Sequence, residues 1–202
     1  MTTLIPGAPP GLVSIERKRV LQTTLAVVYH DGIELGLVQP FISWIKKLDL
    51  EIRTLQPFTL TREGAILFLI SADSMATSDA ARKIRIRYLK EGRDLRADFG
   101  TDRVEGISCE LYKRVIQYLM RPMVALEIVG INAVERVRHL VEAPKGSTTP
   151  CIRKNFPDSF DKANSEGRAF GKRVHAAKDI HEAEGGVDWL HSQLKTSQSL
   201  AA

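Results

Sequence analysis

Apolar and polar positions along the chain alternate between two periods. A β-branched, apolar run over residues 23–29, stopped by Asp31-Gly32, predicts a buried strand ending in a turn. Leu37, Phe41, Trp44, Ile45 and Leu48 then recur at spacings of three and four, with Lys46 and Lys47 opposite, which predicts a helix with one face inward. Pro40 falls in its first turn, where a missing amide hydrogen costs little. Residues 50–55 alternate as a strand with one wet face, closed by Gln56-Pro57. Residues 60–106 read as mostly helical, although the AILFLI run at 65–70 fits a helix or a buried strand equally by period. Within that stretch residues 79–90 form a helix capped at Ser78 or Asp79, carrying Arg82, Lys83, Arg85, Arg87 and Lys90. A short helix is expected over 111–119, ending before Arg121-Pro122, and a strand over 123–129, closed by Gly130. Val134, Val137, Leu140 and Val141 mark another helical stripe. Residues 143–150 and 158–168 read as loops, 172–175 as the end of a short strand, and 179–191 as a helix weakened by Gly185-Gly186. Pro6, Pro9 and Pro10 with Gly7 and Gly11 make residues 1–20 an extended arm, and residues 192–202 are expected to be a flexible tail.

Composition adds bounds. The chain has 202 residues, 44% hydrophobic and 26% charged, which suits one globular domain with extra segments. Lys and Arg number 29 against 24 Asp and Glu, and a pI near 9.3 favours anionic partners without choosing among them. Cys109 and Cys151 are too few for a disulfide framework and read as small buried apolar residues, in a cytoplasmic setting. The start of the chain lacks the layout of a signal peptide, and no apolar run approaches the ~20 residues that cross a bilayer. His30, His139, His175, His181 and His191 include no i,i+4 pair, and no CxxC occurs, so no protein metal site is expected. The segment Gly167 to Arg173 is one residue short of a phosphate loop and ends in Arg, and no GxSxG elbow is present.

The remaining candidate chemistry is spread along the chain: Asp31-Gly32, Arg121-Pro122, Arg138, Arg153 and His175. The segments VVYHDGIELGLVQPFI, RPMVALEIVGINAVERVRHLVE, TPCIRKNF and KRVHAAKD carry them, and in that order they resemble the nucleoside diphosphate kinase family. There a strand runs into Lys-Pro-Asp-Gly and a Gly-Leu-Val helix start. A Gly-Pro-Val-Val-Ala-Met strand precedes a Gly-x-Asn-Ala-Val helix that ends in a phosphate-binding Arg. Gly-Thr-Ile-Arg-Gly-Asp-Phe and Asn-x-x-His-Gly-Ser-Asp follow. The resemblance spans residues 23–189. It implies an α+β, ferredoxin-like, four-stranded antiparallel sheet with helices packed on its faces, over residues 21–191, with a helical basic insertion at about 65–106. It also implies ping-pong phosphoryl transfer, in which an imidazole nitrogen attacks the terminal phosphate and passes the group on. His175 is then the candidate phosphohistidine, Arg138 and Arg153 are phosphate clamps, and Lys172 is a further phosphate-binding cation. An orienting carboxylate would come from Glu182, Glu184 or Asp188, of which Glu184 is best by spacing. No cofactor is required; Mg²⁺ would arrive with nucleotide.

This chain departs from the family pattern. Tyr29 stands in place of the Lys and His30 in place of the Pro; a protonated His30 could supply part of the lost charge. Pro144 replaces a phosphate-holding Thr, Lys172 replaces an Asn, and Ala176-Ala177 replaces Gly-Ser. The position that stacks on the base falls in Glu110-Leu111-Tyr112. Losing one electrostatic contact to a transition state commonly costs about 10² to 10³ in rate. The first expectation is therefore a catalytically degenerate member serving as a docking component of a large assembly, similar to the divergent members in ciliary and flagellar axonemes. It would bind microtubule or axonemal proteins through its arm and Arg82, Lys83, Arg85 and Arg87, with a cytoskeletal location, no membrane, no nucleic acid, and nucleotide as an optional ligand. The alternative is an active kinase working through phospho-His175, with Lys172 supplying the cation that Tyr29 lacks. A third is a nucleotide-binding module without transfer, relying on Arg138 and Arg153.

Overall fold

The computed structural model describes residues 19–71, 76–144, 146, 148, 151–166 and 173–199. Most of the proposed arm and Lys172 lie outside these residues, as does nearly all of the segment Gly167 to Arg173. Strands β1 (Leu21–Val28), β2 (Glu51–Phe58), β3 (Met123–Ile131) and β4 (Val174–Ala176) form one antiparallel sheet in the order β2-β3-β1-β4, the ferredoxin-like arrangement.

Alternation along the central strands sorts side chains onto two faces. Ala26 and Val28 of β1 and Val124, Leu126 and Ile128 of β3 meet helices α2 (Val38–Lys47), α7 (Ala133–Val141) and α8 (Ile152–Asn155) in one core. Leu25, Val27 and Tyr29, with Met123 and Ala125, meet α3 (Arg62–Ser71), α6 (Val104–Leu119) and α10 (Ile180–Ser199) in the other. A third cluster joins α4 (Ala76–Glu91) and α5 (Leu95–Phe99) to α6 through Tyr88, Phe99 and Ile107. Of the stretch 65–106 expected as a helical basic insertion, residues 65–71 lie in α3 and pack on the sheet, while α4 and α5 form a helical layer outside it. The AILFLI run lies within α3.

Several boundaries differ from the sequence expectation. The Asp31-Gly32 turn is a short helix, α1 (His30–Glu34). β2 continues through Pro57, because it is an edge strand and a residue without an amide hydrogen is tolerated there. β3 passes through Gly130, where an added Cβ would meet Leu50 Cδ2 at 2.4 Å. α6 begins at Val104, seven residues before the expected start at Leu111. The polar stretch after Asp158 contains α9 (Phe160–Ser165), with Ser159 capping the amide of Lys162. α10 runs on to Ser199 across the expected tail. Cys151 is buried as expected, but Cys109 is exposed on α6.

Candidate active site

β4 pairs with β1 so that His175 lies opposite Val27, on the same face of the sheet as Tyr29 and against α10. The N-terminus of α10 brings in its partner. Asp179 Oδ1 accepts from the amide of Glu182 at 2.9 Å, and Glu182 Oε2 accepts from the amide of Lys178 at 2.7 Å, a variant of the reciprocal capping box. That arrangement fixes the Glu182 carboxylate, whose Oε1 lies 3.3 Å from Nε2 of His175. The hydrogen bond to His175 is the main reason its carboxyl is held down at about 2, with the Lys178 amide contributing and burial opposing. Glu184, favoured by spacing, is exposed; Glu182 is the carboxylate against His175. Asp179 and Glu182 stand at D-x-x-E spacing, a helix-start pattern that would have favoured Glu182 over Glu184.

Arg138 approaches from the opposite layer. Near the end of α7 it donates from Nη1 to the carbonyl of Ala176 at 3.1 Å, one residue beyond His175, and its Nη2 meets Glu142. Arg153, on α8, meets the other oxygen of the same Glu142 carboxylate. The two predicted phosphate clamps are thus brought together. A cavity of about 680 Å³ opens beside Arg138, lined also by Gln22, Asn132, His139 and Lys178 but by neither His175 nor Arg153.

The segment before β4 rests on a buried network in which the sequence motifs singled out Asp31 but not its partners Asp158 and Tyr118. Arg173, at a positive φ of 58°, pairs with Asp31 and, at 3.3 Å, with Asp158. Asp31 also accepts from the Tyr118 hydroxyl at 2.7 Å and from the amide of Gly32 at 3.0 Å. Burial, with the Asp31 charge second, pushes the Tyr118 hydroxyl well above its ordinary range. The amide of Tyr29 donates to the carbonyl of Arg173 at 2.9 Å, so β1 and the start of β4 are tied at the site.

No protein-family model and no curated protein sequence matches the chain. Among solved structures, an NDP kinase from Pyrobaculum aerophilum is 31% identical, covering 84% of this chain and 95% of that one with a TM-score of 0.69. The chain belongs to the nucleoside diphosphate kinase family. The family fold is also shared with a nucleoside-diphosphate kinase from Borrelia burgdorferi, solved as a transition-state mimic with vanadate and ADP. That chain is 20% identical, with a TM-score of 0.54 over 84% of this chain and 86% of that one. The Aquifex aeolicus nucleoside diphosphate kinase, 15% identical over 85% of this chain and 95% of that one, gives a TM-score of 0.50.

Against the family pattern, the departures that fall within the described residues have structural settings; Lys172 lies outside them. Tyr29 is buried, its ring 5.1 Å from that of Tyr118, and burial, reinforced by the charges of Glu182 and Asp31, raises its hydroxyl pKa. It is a neutral donor, not a cation. His30 is buried with Nε2 3.0 Å from Nη1 of Arg121; an arginine can only donate, so that nitrogen carries a lone pair and His30 supplies no charge. Ala177 packs with Val134 and Ala183, joining α7 to α10 where the family has a hydroxyl. Pro144 is exposed beyond Glu142. At the stacking segment Glu110 pairs with Arg114 at 3.2 Å, while Leu111 and Tyr112 pack against separate cores. Of the predicted docking residues, Arg87 pairs with Glu91 and Asp161, Arg85 donates to the carbonyl of Asp102, and Arg82 lies 3.7 Å from Asp79.

Proposed function

We propose that this chain moves the terminal phosphoryl group of a nucleoside triphosphate to a nucleoside diphosphate through His175. The observation that carries this is the pairing of His175 Nε2 with an ionised, helix-anchored Glu182, beside an Arg138 tied to the neighbouring carbonyl. With the proton on Nε2 held toward Glu182, the lone pair sits on Nδ1. Nδ1 attacks the γ-phosphorus. An N–P bond forms as the bond to the β–γ bridging oxygen breaks, and the diphosphate leaves with that electron pair. A terminal oxygen of the second diphosphate then takes the phosphoryl group, breaking the N–P bond and restoring the imidazole. Arg138 and Arg153 supply charge to the phosphate chain, and the Mg²⁺ of the substrate nucleotide neutralises the rest. Tyr29 supplies a hydrogen bond where the family supplies a cation, so turnover is slow by family standards. The test is GTP formation from ATP and GDP. His175→Ala should lower the rate by more than about 1000-fold. Equal rates in the two proteins would overturn the proposal.

A docking role has its own support. On α4, Ile86 and Leu89 are 67% and 65% exposed, three residues apart on the outward face. Lys83 and Lys90 flank this apolar pair. An acidic filament surface such as a microtubule, the partner of the axonemal expectation, would suit that mixture of apolar and cationic groups. Cosedimentation lost in Ile86→Asp and Lys83→Glu would support it. Wild-type protein left in the supernatant would exclude it.

A further inference from the structure

The two arginines that the proposed transfer requires are gripping a carboxylate of the chain itself. Glu142 caps the C-terminal end of α7 in extended conformation, with its amide on the carbonyl of Arg138 at 2.8 Å. From there Oε2 meets Arg138 and Oε1 meets Arg153, one guanidinium to each oxygen. That is the geometry in which paired guanidinium groups take two oxygens of a phosphate. The three side chains are 30%, 31% and 34% exposed for Arg138, Arg153 and Glu142, so an incoming anion can reach both arginines without opening the core.

The arginines do not depend on Glu142 equally. Arg138 keeps a second anchor at the carbonyl of Ala176, beside His175. Arg153 has no other partner among the described residues. Displacing Glu142 therefore leaves Arg138 in place and frees Arg153 to move with whatever takes the carboxylate's position.

We propose that Glu142 is an internal phosphate surrogate that competes with the phosphate chain of a nucleotide for Arg138 and Arg153. This rests on the phosphoryl-transfer function proposed above. The consequence is selectivity by charge. A ligand must outbid a carboxylate already in the clamp, and a polyphosphate, offering more charge and more oxygens, does so better than a single phosphate. Glu142 also lowers the net positive charge of the clamp, so its loss strengthens every anion while narrowing the margin between diphosphate and inorganic phosphate.

The experiment is isothermal titration of the full chain with Mg·ADP and, separately, with inorganic phosphate, for wild type, Glu142→Gln and Glu142→Ala. Both variants should bind Mg·ADP about 5-fold more tightly, the equivalent of about 1 kcal/mol, with a larger proportional gain for phosphate. Unchanged or weaker binding in folded variants would overturn the proposal and make Glu142 a brace that positions the arginines. Should neither wild type nor variants bind Mg·ADP, the nucleotide function itself fails and this proposal fails with it.

Discussion

His175 and Tyr29 lie on one face of the sheet with Glu182 between α10 and β4, and small changes there have opposite expected signs. Tyr29→Lys restores the family's cation in a pocket shared with Tyr118, and the transfer rate should rise by about 10-fold or more, at a cost in melting temperature from placing an ammonium among buried rings. Steady-state GTP formation and thermal melts measure both; a rate unchanged or lowered would mean that Tyr29 is not in the path of the phosphate. Glu182 has a pKa lowered from 4.5 to about 2, so the stability it contributes is complete above 4.5 and is lost as pH falls toward 2. Glu182→Gln should flatten that part of the stability profile. Urea midpoints at pH 5 and pH 3 provide the measurement, and a fall between them as steep in the variant as in wild type would contradict the assigned contact. At this scale the sequence already pointed to His175, Arg138 and Arg153 through motif order. The choice of Glu182 over Glu184 depended on seeing Asp179 as the helix cap, and Arg173 carried no motif because its role is set by a partner 142 positions away in the chain, Asp31.

The elements that periodicity predicted well are those long enough to show a period and packed on one face: β1, α2, the core of β3 and α7. Short helices α1, α8 and α9 span too few residues to repeat a pattern. Glycines misled in the longer ones. An added Cβ at Gly106 would meet Thr101 Cγ2 at 2.5 Å, and one at Gly186 would meet Leu25 Cδ2 at 3.1 Å. These residues let helices approach their neighbours closely, where isolated propensity would read helix breaking. The element most exposed to failure is the short β4, whose entry is held by the buried pair of Arg173 and Asp31. Their side chains are only 12% and 7% exposed. Arg173→Met leaves Asp31 without its cation and should destabilise the fold by about 3–5 kcal/mol in urea titration. A loss below about 1 kcal/mol would show that Tyr118 and the Gly32 amide suffice for Asp31.

Across the whole molecule, the helices expected as a basic insertion and the stretch at 158–166, expected as loop, are joined to one another. Arg93 and Arg87, from the α4 side, reach Asp161 on α9 at 2.5 and 3.0 Å. Tyr88 accepts from Asn164 at 3.0 Å and donates to Asp98, while Arg114 bonds Asn164 at 2.8 Å and the Asp98 carbonyl at 2.9 Å. The hydrogen bond from Arg93, and the Arg87 charge, keep the Asp161 carboxyl below its usual range. The outer helical layer thus buttresses the segment that follows Arg153. Asp161→Ala should leave the global urea midpoint essentially unchanged, because the pairs are exposed, yet raise amide exchange across α9 selectively. Uniform exchange with wild type would mean that the layer does not restrain α9. This arrangement was illegible in sequence because the contacts that tie α9 to the other helices lie 50 to 76 positions apart, beyond any local period. Transfer of phosphate through one imidazole is decided by incubating purified protein with terminally labelled ATP and Mg²⁺. The expected result is acid-labile, base-stable label on wild type and none on His175→Ala; absence of label on wild type, under conditions that label an active family member, would contradict it.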